Sequence, residues 1–89
     1  MRAVITVVGN DTVGILSKVS GICAEYSINV EDVTQSILQG VFAMIMIVDM
    51  SRCTVDIPAL KKSFEKAQEE MGVEIRLTRT EVFDAMHRI

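Results

Sequence analysis

Eight consecutive residues, Val41-Phe42-Ala43-Met44-Ile45-Met46-Ile47-Val48, carry no polar side chain. In a chain of 89 residues this run restricts the possible folds more than any other stretch. It is too short to span a membrane and offers no polar face to water. It therefore predicts a strand in the middle of a sheet, covered on both faces. Met44 and Met46 share a face at period two, which is ordinary core filling rather than a thioether metal site. A second such strand is predicted from Arg2 to Val8. Ala3, Ile5 and Val7 lie on one of its faces, and Val4, Thr6 and Val8 on the other.

The remaining pattern alternates between helices and more polar strands. From Thr12 or Val13 to Tyr26, Ile15, Val19, Ile22 and Tyr26 recur at three and four residues, flanked by Leu16 and Cys23, and form one apolar stripe. Gly21 weakens this helix by about 1 kcal/mol relative to Ala, which predicts a close approach to the sheet. Asn29 to Leu38 is far more polar, with Glu31 and Asp32 in its first half, and reads as an edge strand. Gln39-Gly40 then closes a tight hairpin into the apolar run. After a loop from Asp49 to Thr54, Asp56 is the N-cap of a second helix with Pro58 in its first turn. Ile57, Leu60, Phe64, Ala67 and Met71 form that helix's buried stripe, and Gly72 ends it. Val73 to Arg79 alternates as a strand with one wet face. Thr80 to Ile89 predicts a short terminal helix with Val82, Phe83, Met86 and Ile89 on one side.

The order β-α-β-β-α-β with right-handed connections defines an α+β, ferredoxin-like sandwich with an antiparallel sheet in the order 4-1-3-2. That order puts the two strands that are apolar on both faces in the middle. The whole chain, 1–89, reads as one domain with a helical tail from 79/80 to 89. Two helices cover only one face of such a sheet. Leaving large aliphatic side chains wet on the other face forgoes about 1.5–3 kcal/mol each. The second face is thus expected to be covered by the tail helix, by a second subunit, or by both.

Composition removes several classes of function. The net charge is −3 and the sequence pI near 5.0, which argues against a nucleic-acid or anionic-lipid surface. Phe42 is the single aromatic on the two central strands, so the stacking platform of an RNA-binding sandwich is missing. Cys23 and Cys53 stand thirty positions apart beside one histidine in the whole chain, His87, so both read as plain thiols and no metal or cofactor is predicted. No signal peptide or membrane span is visible, which predicts a cytoplasmic protein.

The stretch with chemical potential is Gly9-Asn10-Asp11-Thr12-Val13-Gly14, between the first strand and the first helix. Gly9 can end a strand with positive φ, and Asn10, Asp11 and Thr12 are turn and N-cap types. Gly14 removes a side chain where the first turn would crowd an incoming group. A helix start of this kind presents unpaired N–H groups and a positive dipole end, suited to a small anion such as a carboxylate. Every short strand-to-helix connection needs residues of these types, so a purely structural loop fits the same letters.

The segment Asp11-Thr12-Val13-Gly14-Ile15-Leu16, followed by Ser27-Ile28-Asn29-Val30, resembles the signature of ACT domains. The resemblance covers essentially the whole chain. It is strongest to small stand-alone ACT proteins, kin of the ACT pairs in glycine-cleavage regulators and formyltetrahydrofolate deformylases. The family often has Pro where this chain has Val13, with the same loop length. Such domains are regulatory modules that bind amino acids or similar metabolites, commonly at an interface between two domains. Carried over by position, the resemblance implies that Asn10, Asp11, Thr12, Val13, Gly14 and Ile15 meet the ligand. Their backbone N–H groups would hold its carboxylate, and Asn10 or Asp11 its amino end. Asn29 and Val30 would close the site, from this chain or a partner subunit. Gln35 and Ser36 are weaker candidates at an interface, and His87 is assigned no role.

Taken together, these readings predict a homodimeric, amino-acid-binding allosteric sensor without catalysis of its own. Two alternatives remain: a protein-interaction adaptor with a structural loop, and a small enzyme on the same fold. Against the enzyme, no nucleophile–base pair is apparent, and Glu31 and Asp32, as neighbours on a strand, point to opposite faces.

Overall fold

The structure, a computed structural model, describes residues 1–81 and 84. Its elements run β1 (Arg2–Asn10), α1 (Ile15–Glu25), β2 (Asn29–Leu38), β3 (Val41–Asp49), α2 (Ile57–Met71) and β4 (Val73–Arg79). All strand pairs are antiparallel and the sheet order is β2-β3-β1-β4, the predicted order read from the other edge. The terminal helix predicted over 80–89, with its stripe Val82, Phe83, Met86 and Ile89, falls largely outside the described residues, as does His87.

The two central strands are those without polar faces, because only there are both edges of the backbone paired and both sides of the pleat shielded. Ala3, Ile5 and Val7 of β1 and Phe42, Met44, Met46 and Val48 of β3 face the helices and meet Ile15, Val19, Ile22, Leu60, Phe64 and Ala67 in one aliphatic core. Asp56 caps α2 as expected: its Oδ1 accepts the Ala59 N–H at 3.0 Å, and Gly72 ends the helix at φ 67°. The two helices are also tied to each other. Tyr26 Oη and Ser63 Oγ are 3.0 Å apart, and Lys18 Nζ lies 2.9 Å from a Glu70 carboxylate oxygen. Gln39 and Gly40 take φ 52° and 79°, the left-handed pair that a two-residue hairpin needs.

Several expectations are corrected. The helix does not start at Thr12 or Val13 but at Ile15, and β1 runs two residues longer, to Asn10. Gly9 does not take a positive φ; it lies inside β1 opposite Val73, where an added Cβ would meet Val73 Cγ1 at 2.7 Å and Val73 Cα at 2.8 Å. Gly21 is exposed and nothing lies within 4 Å of where its Cβ would be, so no close approach to the sheet explains it. The described residues of one chain leave part of the outer face of β3 accessible, the face expected to be covered by the tail helix or a second subunit. Met44 and Met46 are buried, but Val41 and Ile45 on the opposite side are exposed beside Val8 and Leu38, which stay 50% and 71% accessible. Val4, on the same outer face, is buried.

Candidate functional site

β1 delivers the chain to the edge of the helical layer at Asn10, and after four intervening residues α1 begins at Ile15. The Thr12 hydroxyl donates back to the Asn10 carbonyl at 3.3 Å, and the Asp11 N–H donates to the Gly40 carbonyl at 2.8 Å. The loop is thereby pinned to the β2–β3 hairpin, and every residue from Asn10 to Gly14 is exposed. Val13 is 97% accessible. Ile15 turns its side chain into the core at 2% exposure, so only its backbone belongs to the loop's surface.

The N-cap is Gly14 itself, at φ 93° and ψ 6°, and no side chain caps the helix. Asn10, Asp11 and Thr12 therefore do not cap α1, contrary to expectation. Gly14 is required by its left-handed backbone, since no protein atom lies within 4 Å of a Cβ placed there. Lys18 N–H already bonds the Gly14 carbonyl at 2.9 Å. The earlier amides of the first turn have no side-chain cap, and the turn itself holds no acidic residue. The contrast with α2, whose first turn is capped by Asp56, is direct. Uncapped amides at the positive end of a helix dipole can take a carboxylate from outside the chain.

Asn29 and Val30 are not brought to this loop within one chain. Asn10 pairs with Val41, at the start of β3, whereas Asn29 pairs with Asp49, at its end. Eight strand residues separate the two places, about 26 Å. Val30 packs against the core, and Asn29 stands over the Asp49–Arg52 loop. There Ser51, through its backbone N–H at 3.0 Å and its hydroxyl, holds the Asp49 carboxyl below its usual range. Gln35 and Ser36 are exposed on the edge strand β2. Glu31 and Asp32 do not form a carboxylate pair: a register shift at Glu31 interrupts the strand, and Glu31 meets Arg2 Nε at 2.9 Å.

The neighbours that residue-by-residue reading missed are Gln39 and Gly40. Their turn signature was visible. What connects them to the loop is the antiparallel β1–β3 pairing, which returns the hairpin to the end of β1. The thiols are separate from all this. Cys23 is buried, and burial first, then the neighbouring Cys53, pushes it up to about 11.

The chain is a ferredoxin-like sandwich with an uncapped β1–α1 loop at one end of its sheet. The chain belongs to the ACT domain family, whose model matches residues 2–78. It is 44% identical over 88 residues to a UPF0237 protein of Methanocaldococcus jannaschii, covering 99% of this chain and 98% of that one. An ACT domain protein from Streptococcus pneumoniae superposes with a TM-score of 0.79 at 37% identity, covering 98% of both chains. A formyltetrahydrofolate deformylase from Pseudomonas syringae shares the fold over 88% of this chain and 27% of its own, with a TM-score of 0.80 and 23% identity. Among the described residues, no helix is long and apolar enough to cross a membrane.

Proposed function

We propose that this chain is a regulatory binding module for an amino acid, acting as a cytoplasmic homodimer and performing no chemistry itself. The observation that carries the reading is the uncapped start of α1, beside a second helix capped by its own Asp56. The ligand's carboxylate takes the free amides next to Gly14, and Asn10 or Asp11 takes its ammonium. A carboxylate beside Asp11 alone would be repelled, so a zwitterion suits the loop better than a bare anion.

The homodimer answers the separation of Asn29 from the loop. One sheet edge, β4, has its outward Ile75 N–H taken by Gln68 Oε1 at 2.9 Å. The other edge, β2, is exposed along nearly its whole length. Counting from the closing pair Leu38–Val41, alternate residues Ile37, Gln35 and Val33 turn their backbone groups outward. Two β2 strands joined antiparallel about a two-fold axis bring the partner's Asn29 beside the Gln39–Gly40 turn. From there to Asn10 is three strand spacings, about 14 Å, a gap that two side chains and a bound amino acid can bridge.

The test is a thermal-shift screen of the amino acids on the whole chain. A ligand at 100 times its dissociation constant adds about 2.7 kcal/mol, on the order of 10–20 °C for a domain of this size. Gly14→Asp, which adds bulk and charge to the loop, is expected to abolish the shift. Gln35→Pro, which removes one outward N–H, is expected to yield monomers by light scattering and to weaken binding. Silence across the panel would favour the protein-interaction adaptor instead.

A further inference from the structure

At the far end of the sheet from the loop, a hollow of about 270 Å³ opens between α2 and the β1–β4 corner. We propose that it binds small carboxylates that carry an apolar tail, at a site separate from the loop. The hollow exists because of what the register brings together. Ala3 pairs with Arg79, and Ala3, the smallest helix-facing side chain of β1, leaves room beneath the first turns of α2. Ala3, Leu77 and Ile57 make an apolar lining, with Met1 at the margin. Lys61, one turn along α2 from Ile57, and Arg79, at the end of β4, supply two cations, and among the described residues no acidic side chain lines the hollow.

That charge pattern is unusual for this molecule, which carries −3 overall. Among the described residues the ion pairs are Arg2–Glu31, Lys18–Glu70 and Arg76–Glu74, so neither Lys61 nor Arg79 is neutralised by one. Two cations without an ion-pair partner among the described residues, beside an apolar lining, fit an anion with a greasy end. A phosphate would leave the lining wet, and an amine would be repelled. The site is about 23 Å along β1 from Asn10, counting seven strand residues, so one small ligand cannot span both.

The experiment titrates the ¹⁵N-labelled full chain with sodium butanoate, hexanoate and octanoate below their micelle concentrations, with hexylammonium as the reversed-charge control. Amide shifts are expected to centre on Ala3, Lys61 and Leu77, with affinity rising about fourfold per added methylene. Lys61→Gln/Arg79→Gln, checked for an unchanged spectrum away from the hollow, is expected to lose at least tenfold, roughly one unit of log affinity. Gly14→Asp is expected to bind the octanoate as the unaltered chain does, which separates this site from the amino-acid reading. Equal binding of hexylammonium, no dependence on chain length, undiminished binding by the double variant, or shifts centred elsewhere would each overturn the proposal.

Discussion

The Asp11 N–H donates to the Gly40 carbonyl at 2.8 Å, so a loop between a strand and a helix is held by a hairpin twenty-nine residues further along the chain. Gly40 is itself in the left-handed region, at φ 79°. The loop's position therefore depends on two turns at once. Asn10 and Asp11 stay exposed at the end of the sheet.

Gly14 holds a left-handed backbone with no protein atom near a Cβ placed there, and this distinguishes two kinds of substitution. Gly14→Ala should cost about 1–2 kcal/mol, because a Cβ is disfavoured in the left-handed region. Gly14→Asn should cost less, since Asn tolerates that region. Urea denaturation of the three proteins checks the order. Equal stability of the alanine variant and the original would mean that the loop relaxes out of φ 93°.

Gly9 is the opposite case, in which space decides. An added Cβ would lie 2.7 Å from Val73 Cγ1 and 2.8 Å from Val73 Cα. Gly9→Ala should therefore destabilise by about 1–3 kcal/mol, as over-packing does. Trimming the neighbour in Gly9→Ala/Val73→Ala should recover little, because the clash with the backbone of residue 73 remains. Recovery of most of the lost stability in the double variant would show that the side chain, not the β1–β4 spacing, sets the limit.

Cys23 gives a pH prediction with a definite sign. Its thiol moves from the ordinary 9.0 to about 11, chiefly through burial. The folded chain holds this proton where the unfolded chain releases it. The contribution is complete below pH 9 and is lost as pH rises towards about 11. The difference in urea midpoint between the chain and Cys23→Ala should thus be constant up to pH 9 and shrink above it. In the native protein at pH 8, iodoacetamide should alkylate the half-exposed Cys53 and leave the buried Cys23 untouched. A pH-independent difference would remove the ionisation argument.

Local pattern alone determined much of this protein. Eight apolar residues in a row require a central strand, the steps of three and four from Ile57 to Met71 require a helix, and Asp56, Gly72 and Gln39-Gly40 mark where elements end. Each is a short-range consequence of covalent geometry and burial, so the element order and the 4-1-3-2 sheet were legible without coordinates. The start of α1 was not. Three capping residues precede Gly14, and nothing local says which of them, if any, the backbone will use. Only the assembled fold decided that none does. The pull of the hairpin on Asp11 extends β1 to Asn10 and carries the chain past all three before it can turn helical.

The same holds for distance. Gly9 looked like a turn residue until β4 was set against it, because the proximity of residues 9 and 73 has no trace in either neighbourhood. Asn29 was expected at the ligand site from this chain or from a partner subunit, and no local pattern separates the two. An eleven-residue helix carries the chain back along the sheet, so its two ends belong to opposite ends of the molecule.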